Sequence, residues 1–377
     1  MTTKETPASS TIDETTQAQT TTEALEWHAP VLVRIDEHTT IPHLLKERVQ
    51  RGATRPLILR KIGIGDTWRS ITAREFYDEV HALAAGLIAR GLEPGDRVAI
   101  MSRTRYEWTL LDFACWAAGL VPVPIYETSS IDQVAHVLVD ADVHLIITET
   151  VSMAEIVRAA AARENRDKTH VLSLDSEAIE TLIAEGSATP RERVLARSEA
   201  LTKDDIATIV YTSGTTGTPK GTVLSHENFT NLCLNAHAWM PEIAAGKNSR
   251  LLLFLPLAHV FARFLQVFQI SGNGVLGHAS NIKNLLGDLA SFRPSYLLVV
   301  PRVLEKIYNS ADTKASGPKR KIFRWAAKVA IAYSQALDTE DGPSASLKAQ
   351  HALADKLVYQ QIIRLVGGNA DYIVSGG

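Results

Sequence analysis

Cysteine is almost missing from this chain: Cys115 and Cys233 are the only two in 377 residues. Both fall within apolar helical patterns. They therefore read as buried thiols, and neither a disulfide framework nor a metal site is implied. A reducing cytoplasm suits them. A dominant charge is missing as well. Lys and Arg number 39 against 42 Asp and Glu, for a net −3, which gives no support to nucleic acid as a partner. Long hydrophobic runs are also lacking. The most apolar stretch, Leu251 to Ile270, is broken by Pro256, His259 and Arg263, so it does not read as a membrane span. Nothing in the sequence excludes peripheral contact with a membrane. Residues 1–24 are rich in Thr, Ser, Gln and Glu and carry no apolar signal core, so a disordered tail is expected there. No repeat of solenoid period occurs.

What is present is ordinary for a soluble globular protein, with 45% hydrophobic and 21% charged residues. The length leaves room for two or three domains' worth of core. Pro56 to Thr72 holds two β-rich runs around residues 63–66 and reads as a hairpin. Thr72 and Glu75 form a capping box, Phe76 to Ile88 recur at helical spacing, and Gly91 closes the helix. Strands are expected at Arg97 to Met101, Val143 to Thr148 and Val171 to Leu174. Helices are expected at Tyr106 to Ala118, from Ser130 onward, and at Met153 to Arg163. Val121 to Tyr126 is extended and carries Pro122 and Pro124, which fits a sheet edge. This alternation predicts βαβ units, parallel sheet and an α/β fold. Residues 176–203 read as an irregular polar connection. Further on, strands are expected at Thr222 to Leu224, Leu251 to Leu255 and Ser295 to Val300. Ser225 caps a helix over 227–240, and Pro301 starts another. Lys319 to Ala336 is a basic helix, and Arg302 and Glu305 sit at pairing distance along their helix.

The stretch that organises the chain is Tyr211 to Gly221, YTSGTTGTPKG. It follows Ile206 to Val210, a short β-branched run that reads as a buried strand. A strand emptying into Thr212, Ser213, Gly214, Thr215, Thr216 and Gly217 leaves backbone N–H groups and small hydroxyls facing outward. Such groups suit a polyphosphate, and Lys220 adds a point charge. The ordinary nucleotide-binding loop, G-x-x-x-x-G-K-[ST], does not fit. Gly221 follows the lysine and Pro219 precedes it, so no helix starts there. A plain flexible loop of small polar residues remains the competing reading.

This stretch closely resembles the phosphate loop of the adenylate-forming enzymes. Pro256-Leu-Ala-His259 after a strand, and Ser375-Gly376-Gly377 at the end of one, resemble further motifs of that family. Val-Pro-Arg-Val-Leu-Glu-Lys at 300–306 looks like the form found in its long-chain acyl-CoA synthetases, as does the basic helix that follows. The resemblance runs from about Trp27 onward. It implies the large N-terminal adenylation domain over residues 25–377, built of two mainly parallel sheets packed with helices. It also implies that the chain is a truncated piece, lacking the later glutamate segment and the small C-terminal domain with its lysine. The reaction implied is ATP-dependent activation of a fatty acid to acyl-AMP, then thioester formation with CoA. The alternatives are an aryl- or amino-acid-adenylating enzyme and a non-catalytic nucleotide- or lipid-binding module. By resemblance, the loop residues 212–217 and Lys220 hold the ATP phosphates and Thr212 contacts Mg2+. His259 lines the acyl and adenylate site, and the backbone at Gly376 and Gly377 lines the adenine pocket.

Overall fold

The computed structural model describes residues 30–63, 67–166, 168–212, 219–244, 246 and 249–375. The expected tail over residues 1–24 and the tip of the first hairpin lie outside the described residues. Residues 30–32 form neither helix nor strand, and the compact unit begins at Val33.

The strands, in chain order, are β1 (Pro56–Lys61), β2 (Trp68–Thr72), β3 (Arg97–Met101), β4 (Val121–Ile125), β5 (Val143–Thr148) and β6 (His170–Ser173). They continue with β7 (Ile206–Thr212), β8 (Lys220–Ser225), β9 (Arg250–Leu253), β10 (Val275–His278), β11 (Tyr296–Val299) and β12 (Tyr372–Ser375). One sheet has the order β2-β1-β10-β9 and a second the order β4-β3-β5-β6. The second is parallel throughout, and only β1–β2 is antiparallel in the first. β11 and β12 pair in parallel, while β7 and β8 form an antiparallel hairpin of their own.

The first seven helices are α1 (Ile41–Gly52), α2 (Ala73–Ala89), α3 (Tyr106–Ala117), α4 (Ile131–Asp140), α5 (Val151–Arg163), α6 (Ala178–Glu185) and α7 (Arg191–Ala200). After the hairpin come α8 (His226–Trp239), α9 (Pro241–Ala244), α10 (Val260–Ser271), α11 (Leu285–Phe292), α12 (Pro301–Lys314), α13 (Gly317–Leu337), α14 (Ala345–Ala354) and α15 (Gln360–Leu365). None of the described helices is long and apolar enough to cross a membrane.

Local signals account for most of these boundaries. The Thr72–Glu75 capping box opens α2, and Gly91 follows its end with φ +81°. Ser130 and Gln133 cap α4 in the same reciprocal way. Pro301 is the first residue of α12, where a missing N–H costs nothing. β4 is an edge strand, as its prolines require. Pro122 and Pro124 have no N–H to offer a further strand. β7 therefore lies against β4 without a ladder, and the Thr208 hydroxyl donates to Pro122 O at 2.7 Å.

The core centres on α3, every residue of which is buried. Its Trp116 indole donates to Ala207 O of β7 at 2.7 Å, and Phe76, Phe113 and Trp116 meet edge to face.

Four expectations need correction. Residues 176–203 are not an irregular connection: they form α6 and α7 with a short 3-10 turn between them. Ala178, Ile179 and Leu182 of α6 are buried, and α7 is anchored by the single buried Val194. Three buried apolar residues in α6 and one in α7 are a short signal inside a segment rich in charge. β7 is only half a buried strand, since Ile206 is exposed and Ile209 half-buried beneath an exposed β8. β8 begins at Lys220, two residues earlier than expected. β10 was not anticipated; its Gly277 is needed because a Cβ there would stand 2.3 Å from Phe292 Cε2.

Candidate functional site

A cavity of about 380 Å³ opens at the C-terminal ends of β4 and β7. Its walls come from Pro124 to Tyr126 after β4, Gln133 and Val137 of α4, Val210 to Thr212 and Pro219 of the hairpin, and His259 with Val260 at the start of α10. Ligand crevices of α/β proteins form at such strand ends, and this volume falls in the range of small-molecule sites.

The structure brings Thr212, Pro219 and His259 into this one cavity. Lys220 opens β8 directly across the ladder from Thr212. Its side chain is exposed and is not part of the lining. Ser213, Gly214, Thr215, Thr216, Gly217, Gly376 and Gly377 lie outside the described residues. Ser375, just before the two glycines, pairs with Val299 of β11.

His259 is the N-cap of α10, and its Nδ1 accepts the Phe261 N–H at 3.2 Å. With Nδ1 accepting, the ring N–H is assigned to Nε2, which leaves one donor for a ligand. Thr212 offers a single neutral hydroxyl. Among the described residues there is no group of three or more His, Cys, Asp or Glu side chains able to hold a metal ion. That donor set does not fit a dedicated metal cage. It fits Mg2+ brought in on substrate phosphates, which needs few protein ligands.

Sequence reasoning missed Tyr126, Gln133 and the α4 face that carries His136 and Asp140. Their signal was present but faint: polar residues spaced by three and four on an amphipathic helix directly after an edge strand.

A second, strongly polar cleft of about 500 Å³ lies over the ends of β1, β3, β5 and β10. Its cations are already engaged. Arg60 pairs with Glu107 and Lys61 with Asp288. Arg103 reaches Glu149 at 2.5 Å, and Arg105 reaches Glu107 at 2.5 Å. Burial raises the Glu149 pKa, but the Arg103 hydrogen bonds outweigh it and hold the carboxyl below its ordinary value. Elsewhere, burial pushes the thiols of Cys115 and Cys233 well up, leaving both protonated and unreactive.

A family model described as AMP-binding enzyme matches residues 45–357. The long-chain-fatty-acid–CoA ligase FadD15 of Mycobacterium tuberculosis is 39% identical over 355 residues, covering 93% of this chain and 58% of the relative. Long chain acyl-CoA synthetase 5 of Arabidopsis thaliana is 28% identical over 345 residues, covering 85% and 50%. Two solved structures share the fold. The A domain of carboxylic acid reductase from Segniliparus rugosus, in complex with AMP and a co-purified carboxylic acid, superposes with TM-score 0.62 at 18% identity, over 90% of this chain and 56% of that one. A Mycobacterium tuberculosis fatty acyl CoA synthetase gives TM-score 0.60 at 24% identity, over 72% and 51%. The chain therefore spans 58% or less of the length of each of these relatives.

Proposed function

We infer, from the premise that this chain belongs to the AMP-binding enzyme family, that it carries the adenylating half of a long-chain fatty acid–CoA ligase. The observation that carries this reading is the cavity at the ends of β4 and β7, where Thr212 and Pro219 of the hairpin face His259. The names of the relatives supply the acyl class.

In this reading the carboxylate oxygen attacks the α-phosphorus of ATP, the bond to the β-phosphate breaks, and pyrophosphate leaves. A phosphoryl or nucleotidyl transfer of this kind depends on positioning and on neutralising charge. Thr212 Oγ1 donates to a phosphate oxygen or supports the Mg2+ that arrives with ATP. The Lys220 ammonium, at the head of β8, neutralises charge on the departing pyrophosphate. His259 lines the place where acyl group and adenylate meet, and offers its Nε2–H there as a hydrogen-bond donor. The mainly apolar lining from Pro124, Ile125, Val137, Val210 and Val260 excludes water from a mixed anhydride that water would hydrolyse. CoA is the acceptor: its thiol attacks the acyl carbonyl and releases AMP. The setting is cytoplasmic, in keeping with two buried thiols that form no disulfide.

The test is carboxylate-dependent ATP–pyrophosphate exchange by the full-length protein. Long-chain fatty acids should support exchange, and aryl or amino acids should not. Lys220→Ala should slow it by roughly 10²–10³, the loss of one transition-state donor. Exchange that survives this substitution unchanged removes Lys220 from the mechanism. A preference for aryl or amino acids moves the protein to another branch of the family. Tight ATP binding without exchange makes it a binding module.

A further inference from the structure

One face of α4 holds both ends of the segment that carries the phosphate-binding residues. His136 and Asp140 lie one helical turn apart on that face. His136 Nε2–H donates to Pro219 O at 2.7 Å, a bond that fixes the proton on Nε2 because a carbonyl only accepts. The Tyr211 hydroxyl donates to Asp140 Oδ2 at 2.6 Å. The His136 and Tyr211 rings also meet edge to face, with centroids 5.8 Å apart.

The clamped residues are the immediate neighbours of the two side chains assigned to ATP. Tyr211 precedes Thr212, and Pro219 precedes Lys220; across the ladder Tyr211 pairs with Gly221 and Thr212 with Lys220. The Tyr211 ring passes close over Gly221. A Cβ there would stand 3.1 Å from Tyr211 Cζ and 2.9 Å from Ile209 Cγ2, so glycine leaves room for the ring. Burial, and then the Asp140 hydrogen bond, push the Tyr211 phenol above its ordinary range, so it stays a donor at physiological pH. The hairpin needs such support: a two-stranded ribbon with an exposed outer strand is marginal by itself. Gln133 and Val137 of the same helix line the cavity, so α4 ties the cavity wall to the strand ends.

We propose that His136 and Asp140 are positioning residues which fix the strand ends at Tyr211 and Pro219, so that Thr212 and Lys220 meet the phosphates of ATP in one geometry. This rests on the adenylating reading above. The clamp acts on ATP and leaves the carboxylate subsite alone.

The experiment compares His136→Phe, which keeps a ring but removes the donor, with His136→Gln, which keeps an N–H donor. Both are measured in the full-length protein with Mg2+ and ATP. In exchange assays His136→Phe should raise the KM for ATP about five- to tenfold, the worth of one hydrogen bond, and lower kcat alongside it because Lys220 is a transition-state donor, with the KM for fatty acid within about twofold. His136→Gln should return the KM for ATP to near wild type. In ATP-free protein, amide hydrogen exchange of β7 and β8 should be several-fold faster in His136→Phe and not in His136→Gln. Equal behaviour of the two variants, or an equal rise in both KM values, overturns the positioning role. Unchanged amide exchange in His136→Phe overturns the clamp itself. A wild-type protein that performs no exchange with any carboxylate overturns the adenylating reading instead, and the amide-exchange arm still decides the clamp.

Discussion

At the scale of single residues, burial decides charge state more than sequence neighbourhood does. His226 opens α8 with its ring buried, and its Nδ1 accepts the Ile41 N–H at 3.3 Å. Burial lowers its pKa from the ordinary 6.5 to about 4. Burial lowers His278 to about 4 as well, although its Nε2 lies 2.7 Å from the Thr109 hydroxyl. The sign follows from linkage. Between pH 6.5 and 4 the unfolded chain binds protons that these folded imidazoles refuse, so stability is complete above that window and falls as pH drops through it. Each histidine accounts for up to about 3 kcal/mol of the loss. His226→Gln, whose side-chain carbonyl still accepts the Ile41 N–H, should remove about one proton from the pH slope of unfolding free energy. Urea unfolding at pH 7.5 and 4.5 checks this, and an undiminished slope in the variant would remove His226 from the account.

At the scale of elements, close packing of backbone explains what propensity leaves open. α2 crosses the turn after α6 at Gly86 and Gly186. A Cβ on Gly86 would lie 1.9 Å from Leu182 O, and one on Gly186 would lie 2.3 Å from Gly86 N. Neither neighbour is a flexible side chain that can swing away. Gly86→Ala gains helix propensity yet should destabilise the protein by about 1–3 kcal/mol, because overpacking against fixed backbone outweighs the propensity term. The urea midpoint measures it; a midpoint that rises would show that α6 moves aside without strain. The same crossing explains why residues 176–203 become helical. Ile179 and Leu182 gain a partner in α2 that the local sequence does not announce.

At the scale of the whole molecule, a buried polar chain joins the first sheet, the central helix and the β7–β8 hairpin. Arg263 of α10 and Asp112 of α3 are fully buried and meet at 2.7 Å. Arg263 also donates to Thr208 of β7 at 2.7 Å, and Gln266 donates to Asp112 at 2.9 Å. Thr109 donates to Gln266 Oε1 at 2.6 Å and contacts His278 of β10. Burial pushes Asp112 up and Arg263 down, so each ion depends on the other and on these amide and hydroxyl groups. Asp112→Ala leaves a guanidinium stranded in the core and should cost about 3–5 kcal/mol. Replacing Asp112 by Leu together with Arg263 by Met should cost clearly less, since an apolar pair of similar volume strands no charge. Equal losses in the single and double variants, by urea unfolding, would show that the network contributes through its hydroxyls and amide rather than through the ion pair.

The sequence alone determined what short-range chemistry controls. Thr72 with Glu75, Ser130 and Pro301 set helix starts, the prolines of β4 marked a sheet edge, and short β-branched apolar runs marked most strands. The Tyr211–Gly221 stretch, with Pro256 to His259, pointed to the cavity wall that Thr212 and His259 share. These signals survive because each depends on residues within a turn or two of one another. Only the tertiary structure decided that Tyr126, Gln133 and His136 stand beside that wall, that Lys220 begins an exposed strand, and that α6 and β10 exist at all. Contacts between distant segments depend on strand register and on how closely backbones approach. Those are set by the packed whole, where a single methyl group at Gly86 or Gly277 is enough to forbid the arrangement.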